Sequence, residues 1–416
     1  MSLGHRSIIV PCAFIRKVIW KVVGWLCMGG ALIAHNANAQ TVEPRKPQAA
    51  ASAHHRSTAA AGPLYGARED VVAFAHRTAA LNDLDARWVR KQLAAARRLP
   101  VVQKLIMPPP SGTAKNWGAY RDRFLTPDRV GAGVAFWQRH ERWLQAAEAR
   151  WGVPAEVIVG IVGVETFYGR IMGTFRVLDA LSTLSFDFPS GRSDRSEFFR
   201  EQLSEFLVLA SRQKTDPARW RGSYAGAMGL PQFMPGNVNR LAVDFDEDGR
   251  IDLYDSPADV IGSVAHFLAD AGWVADMPAR FELSLPADGM DRSALLAPDI
   301  WPSFTASQLA DRGVKLDAKA TTHEGLLALV ELQMGEAPPV YVAGTRNFWV
   351  LSRYNRSSYY VMAVLSLGEE VRRRRLQADR AGDGSAADGA STAAVPAART
   401  GPAARCKPRT GRCERV

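Results

Sequence analysis

"WGVPAEVIVGIVGVETFYGR", residues 151–170, places one acid at the end of an otherwise apolar segment. Pro154 suits the first turn of a helix, where a missing N–H costs nothing. Beyond it, Ile158, Ile161, Val162 and Glu165 fall at positions i, i+3, i+4 and i+7, the spacing of one helical face. Glu165 therefore continues the apolar stripe. Gly169 and Gly173 follow closely, so the acid sits near the helix C-terminus. Burial strips water from a carboxylate, and the negative end of the helix dipole opposes its charge; both raise its pKa. A carboxyl group still protonated near neutral pH is what a general acid requires. A second reading stands beside this one: a buried glutamate in a structural ion pair with Arg170 or Arg176.

Outward from this segment the chain reads as mostly helical. "EDVVAFAHRTAALNDL", "DARWVRKQLAAARRL", "AFWQRHERWLQAAEARW" and "SEFFREQLSEFLVLASRQ" carry apolar residues at mixed spacings of three and four. Pro108–Pro110 mark a connection. Between about Met277 and Val350 the texture changes. "RFELSLP", "PVYVAG" and "NFWVLSRY" are short, β-branched and aromatic, and bounded by Gly, Pro and Asn. "YYVMAVLSLGEEVRRR" returns to helical spacing. The fold class is thus mainly α (α+β), with a small β part inserted in a helical protein.

The chain has 416 residues, 47% of them hydrophobic, and a formal net charge of +10. Much of that charge lies in Arg372–Arg375 and in the tail, and no basic helix is interleaved with aromatics, so nucleic-acid binding is not favoured. Arg16, Lys17 and Lys21 precede an apolar run from Val22 to Ala34 and then Ala37-Asn38-Ala39. This is the pattern of a cleavable export signal over residues 1–39, and the run is shorter than the ~20 residues that span a bilayer. An uncleaved anchor is the alternative; Gly24-Trp25-Leu26 before Cys27 argues against lipidation. Residues 40–64 read as a linker and 376–416 as a disordered basic tail. Cys406 and Cys413 in that tail either close a disulfide loop or remain free thiols. No Cys/His cluster suggests zinc.

Three further stretches carry chemistry. In "RGSYAGAMGLPQFMPGNVNR", Gly222, Gly226 and Gly229 allow close backbone approach to a ligand, Ser223 and Gln232 offer directed hydrogen bonds, and Tyr224, Met228, Phe233 and Met234 offer apolar contact. This suits a sugar; a tight helix crossing is the alternative. "SRYNRSSYYVMAV" adds Tyr354, Asn355, Tyr359 and Tyr360, which fit either carbohydrate or the junction between the β part and the helices. "DFDEDGRIDLYD" (244–255) follows the spacing of a calcium-binding EF-hand loop, with Gly249 at the sixth position. Asp244, Asp246 and Asp248 would supply side-chain oxygens and Arg250 a backbone carbonyl. Asp255 stands at the closing position and Asp259 competes with it, although Ser256–Asp259 also reads as a capping box.

Taken together, "GIVGVETFYGRIMGTFRVLDALSTLSFDFP", "GSYAGAMGLPQFMP", "VDFDEDGRIDLYDSPADVIGSVAHFLADAGW" and "NFWVLSRYNRSSYYVMAV" resemble, in order, the lytic murein transglycosylase B family. The resemblance covers about Tyr65 to Gly368 and outweighs the ion-pair reading of Glu165. It implies a lysozyme-like helical core (141–275 and 346–375), an N-terminal helical domain (65–140) and a small inserted β domain (276–345). It implies an enzyme that cuts the β-1,4 bond between N-acetylmuramic acid and N-acetylglucosamine without water, leaving 1,6-anhydromuramic acid ends. Glu165 would be the catalytic acid, and Ser223, Gln232, Tyr354, Tyr360 and, more weakly, Asn355 would bind substrate. Asp259 would close a structural calcium (or sodium) site, and no cofactor would serve the chemistry. The implied setting is a periplasmic, soluble or loosely membrane-associated monomer acting on glycan strands, with wall-synthesis proteins as partners. A non-catalytic peptidoglycan scaffold and a hydrolytic muramidase are the rivals.

Overall fold

The computed structural model describes residues 62–66, 68–108, 115–286 and 291–389, with the side chains of 381–389 excepted. The export signal, nearly all of the linker, most of the Pro108–Pro110 connection and all four cysteines lie outside the described residues. Two units divide the chain, one ending at Arg372 and the other beginning at Arg373.

The first unit opens with α1 (Glu69–Asn82), α2 (Ala86–Ala94), α3 (Pro100–Leu105) and α4 (Trp117–Asp122). Next come α5 (Pro127–Trp151), α6 (Ala155–Thr166), the two-residue strand β1 (Phe175–Arg176), α7 (Val177–Phe186) and α8 (Ser196–Arg212). A second short strand, β2 (Arg221–Gly222), is followed by α9 (Pro235–Leu241) and α10 (Pro257–Asp270). α5 has non-helical backbone at His140 and ends at Gly152, whose φ of 66° only glycine adopts cheaply. The domain limit read at 140/141 lies beside this kink, where two helical stretches meet. The N-terminal helices dock on α7 through polar ties. The Tyr65 hydroxyl donates to Asp187 (2.7 Å), the Arg97 amide to Asp179 (3.0 Å) and the Leu99 amide to Thr183 (2.9 Å).

α6 lies at the centre of this unit. Ala155, every residue from Val157 to Gly163, and Thr166 are buried. The helix is thus buried on more than the single stripe read from the sequence: apart from Glu156, Val164 and Glu165 it is enclosed by its neighbours. Val164 and Glu165 are its half-exposed positions near the C-terminus. It also lies close against the last helix. A Cβ on Gly160 would strike the Val364 carbonyl oxygen, and one on Gly368 the Glu156 carbonyl oxygen, so the two backbones touch.

The β part comprises β3 (Arg280–Ser284), α11 (Ser293–Leu296), α12 (Ala306–Ala310), β4 (Lys315–Leu316), α13 (Ala318–Thr321), β5 (Ala328–Met334) and β6 (Ala337–Gly344). Its strands form an antiparallel sheet of order β4-β3-β6-β5. Alternation along β5 and β6 splits the sheet between two cores. Ala328, Val330, Leu332 and Val342 face the main core, while Leu329 and Ala343 join Phe281, Leu295 and Leu309 in a smaller one.

The chain returns through α14 (Arg346–Tyr354) and α15 (Ser358–Gly389). "NFWVLSRY", read above as β-like, is helical. The Thr345 side chain caps it by accepting from the Asn347 amide (3.1 Å), and Phe348, Val350 and Leu351 bury against the core; packing overrides the β-propensity of the run. In the second unit α15 continues to Gly389, with Arg375 and Asp379 paired at 3.9 Å. Backbone 376–389 is thus helical where a disordered tail was expected to begin. Among the described residues, no helix is long and apolar enough to cross a membrane.

Candidate active site

α6 ends one residue after Glu165. Phe167 and Tyr168 take left-handed backbone (φ 51° and 56°), and their amides donate to the carbonyls of Gly163 and Val162; the Phe167 bond closes the helix as an αL cap. Glu165 is half-buried, and the Tyr360 hydroxyl donates to its Oε1 at 2.7 Å. Its pKa is pushed up to about 7 by burial, against the opposing effect of the Tyr360 hydrogen bond. The ion-pair alternative does not materialise: Arg176 pairs with Asp179 at 3.3 Å, and Arg170 lies over the Phe167 ring at 4.6 Å.

Tyr360 is buried (2% exposed). Its ring lies near-parallel to that of Tyr354, with 6.3 Å between centroids, and Tyr354 donates to the Pro231 carbonyl at 2.5 Å. The two tyrosines thus join α14 and α15 to the glycine-rich segment. Asn355 is 6% exposed, and its carbonyl accepts from the Ser357 amide (2.8 Å). Tyr359 belongs elsewhere: it donates to the Gln333 carbonyl and packs on Trp117 and Tyr120, at the junction of helices and sheet.

The glycine-rich segment is held by its own backbone. Met228 and Phe233 exchange amide hydrogen bonds (2.8 and 3.1 Å), and β2 pairs with β1. A Cβ on Gly222 would strike the Ala227 carbonyl, on Gly226 the Leu181 side chain, and on Gly229 the Leu253 backbone. These glycines therefore serve close approach within the protein, which corrects their reading as ligand contacts. Met228 and Phe233, each 1% exposed, are core residues. Ser223 and Gln232 remain half-exposed. Ser223 Oγ accepts from the amides of Ala225 (3.3 Å) and Ala227 (3.0 Å), which leaves its proton to donate. Gln232, at φ 51°, donates through Nε2 to the Gly229 (2.8 Å) and Met172 (3.2 Å) carbonyls, leaving its oxygen as acceptor.

Asp244, Asp246 and Asp259 bring carboxylate oxygens within 4.8 Å of one another. Asp259 is fully buried and accepts from the amides of Phe245 (2.8 Å) and Asp252 (2.7 Å). Burial raises its pKa, with a further push from Asp246 and Asp244. The Ser256 side chain accepts from the Asp259 amide (3.3 Å), so one half of the expected capping box forms. Asp246 takes a bond from Ser256 on Oδ2, whereas its Oδ1 is buried without a partner. A set of hard oxygen donors with an orphaned carboxylate oxygen fits a cation such as calcium. Asp248 is exposed and pairs with Arg250 at 3.3 Å, while Asp255 is exposed and outside the cluster. The loop is tied to the glycine-rich segment and β2. The Leu230 amide donates to the Leu253 carbonyl (2.8 Å), and the Tyr254 hydroxyl to the Arg221 carbonyl (2.7 Å).

One anchoring residue escaped the sequence reading. Thr166, next to the acid, is fully buried and its hydroxyl donates to the Leu230 carbonyl at 2.9 Å. Its only sequence signal was a polar residue closing an apolar helix.

This helical architecture and half-buried acid define a known class. The Transglycosylase SLT domain family matches residues 66–369, and the chain belongs to it. Over 304 residues it is 39% identical to the membrane-bound lytic murein transglycosylase B of Escherichia coli K12, a match spanning 71% of this chain and 81% of that protein. Among solved structures, the Escherichia coli lytic transglycosylase Slt35 in complex with calcium is 36% identical at TM-score 0.66, covering 77% of this chain and 98% of that one. SltB3 from Pseudomonas aeruginosa, in complex with NAG-NAM-pentapeptide, is 30% identical at TM-score 0.62, covering 74% and 80%. The chain is thus an enzyme of the lytic transglycosylase family, with that family's mainly α, lysozyme-like fold.

Proposed function

We propose that this enzyme cleaves the β-1,4 bond between N-acetylmuramic acid and N-acetylglucosamine in peptidoglycan without water, with Glu165 as its sole acid and base. The observation that carries the reading is the placement of Glu165: in a chain of the Transglycosylase SLT domain family it lies half-buried at the end of α6, with the Tyr360 hydroxyl donating to it at 2.7 Å, and burial raises its pKa to about 7. Hydrolytic glycosidases ordinarily pair two carboxyl groups, whereas a single acid suits an intramolecular route. Protonated Glu165 gives its proton to the glycosidic oxygen as the C1–O bond breaks. The substrate's own N-acetyl group supports the positive charge at C1. Glu165, now a carboxylate steadied by the Tyr360 hydroxyl, takes the proton of the C6 hydroxyl as O6 bonds to C1. The 1,6-anhydro ring forms, the acid is restored, and no water is consumed.

Ser223 donates to the reacting sugar, Gln232 accepts from a neighbouring saccharide, and Tyr354, Tyr360 and Asn355 form the wall behind the acid. Asp244, Asp246 and Asp259, with Asp248 and the Arg250 carbonyl completing the set, would hold a calcium ion whose role is to stabilise the loop. The relatives' names and ligands support a glycan-strand substrate, and the basic-apolar-small leader supports a periplasmic location. Purified protein incubated with murein sacculi should release muropeptides ending in 1,6-anhydromuramic acid, detected by mass spectrometry, and Glu165→Gln should release none. Reducing ends would identify a hydrolytic muramidase. Sacculus binding without turnover, by wild type and variant alike, would identify a scaffold.

A further inference from the structure

The hydrogen bonds around the acid assign a role to its neighbour. We infer that Thr166 is a positioning residue for Glu165: its hydroxyl fastens the last turn of α6 to the main chain of the segment that carries Ser223 and Gln232. This rests on the reading of Glu165 given above.

Thr166 is the last residue of α6 and has no exposed surface. A hydroxyl has one proton. The short bond to the Leu230 carbonyl (2.9 Å) uses it, and the Val162 carbonyl at 3.4 Å is a secondary contact. The same oxygen accepts from the Gly169 amide at 3.2 Å, and the Thr166 carbonyl accepts from the Ile171 amide at 2.9 Å. One residue thus closes the helix end, holds the left-handed turn after it and reaches across to the opposite segment. Leu230 is held on its other side, where its amide donates to Leu253. Two positions further on, Gln232 is fixed by Met172 and Gly229. A carboxyl group one residue away from such an anchor has little freedom along or around the helix axis. Misplacing a catalytic group by about 1 Å costs on the order of a hundredfold in rate.

Thr166→Val keeps the shape and removes the bond, leaving a buried Leu230 carbonyl without its donor. With soluble glycan strands prepared from murein, we expect its kcat to fall about tenfold to a hundredfold with KM nearly unchanged. The alkaline limb of its pH–rate profile should move below that of wild type as the carboxyl group relaxes toward water. Thr166→Ser, which retains the hydroxyl, should restore both. If Thr166→Val does not fold, Thr166→Cys replaces it in the comparison with Thr166→Ser, because a thiol fills similar space but donates weakly; the cysteine variant should be slow and the serine variant fast. A valine or cysteine variant with wild-type kcat and pH profile, altered only in melting temperature, would overturn the inference and leave the proposed function standing. A wild-type protein that releases no anhydro ends would overturn both.

Discussion

Glu165→Gln should stabilise the protein, and should do so only where the wild-type acid is forced to ionise. In the fold Glu165 ionises at about 7, against 4.5 for an ordinary glutamate. Between those values the folded state holds a proton that the unfolded chain has released, so stability falls as pH rises through the window and the loss is complete above about 7. The gap corresponds to about 3 kcal/mol at most, taking 1.36 kcal/mol per pKa unit. Glutamine keeps the acceptor oxygen for Tyr360 and never carries the charge. For a folded unit of roughly 300 residues, 3 kcal/mol amounts to about 5 °C in melting temperature. Melting curves of both proteins at pH 4, 6 and 8 should therefore coincide at pH 4 and separate by about 5 °C at pH 8, the variant melting higher. The same ionisation should make wild-type kcat/KM fall about tenfold per pH unit above pH 7 as the acid form is lost. A difference in melting temperature that is the same at pH 4 and pH 8 would show that Glu165 is not held protonated, and the acid assignment would fail.

Three further outcomes follow from the site and its frame. Tyr360→Phe removes the donor that favours the ionised acid, so the alkaline limb of the pH–rate profile should move up by about one unit; an unmoved limb would show that the bond does not tune the acid. Asp259→Ala should abolish any calcium-dependent rise in melting temperature and cost about 2–3 kcal/mol even without calcium, because two amides lose their acceptor. Asp255→Ala should leave the calcium response intact, and the reverse pattern would move the closing ligand to Asp255. Gly160→Ala forces a methyl group against the Val364 carbonyl and should cost about 1–3 kcal/mol in a urea melt; a neutral result would show that α6 and α15 can part freely.

What the sequence made legible, and what it did not, follows from the range of the interactions involved. Glu165 stood out because spacing and burial are coupled over a few residues of one helix. That α6 is buried well beyond one stripe was not legible, since a continuous apolar run of this length also fits a half-buried helix. "NFWVLSRY" read as β-like because its aromatic and branched residues fit a strand; its helical state depends on the Thr345 cap and on the core that Phe348 and Leu351 enter. The glycines at 222, 226 and 229 were recognisable as sites of close approach, but their partners, the Ala227 carbonyl, Leu181 and Leu253, are set by tertiary folding. The choice between Asp255 and Asp259 stayed open for a similar reason. Only the start of α10 folding back on the loop shows which carboxylate faces Asp244 and Asp246.

The touching backbones of α6 and α15 limit how this site can diversify. The acid and its tyrosine donor sit on two helices whose separation, where Gly160 meets Val364 and Gly368 meets Glu156, is set by main-chain thickness. Main-chain carbonyls make the tightest contacts there, so substitution has little gradual way to retune the 2.7 Å bond between Tyr360 and Glu165. Under the proposed function, variation in what the enzyme accepts falls instead on the segment of Ser223, Tyr224 and Gln232, which lies outside the regular helices. In that proposal the helix pair acts as a fixed gauge, and the glycine-rich segment is where a change of preferred glycan can be written.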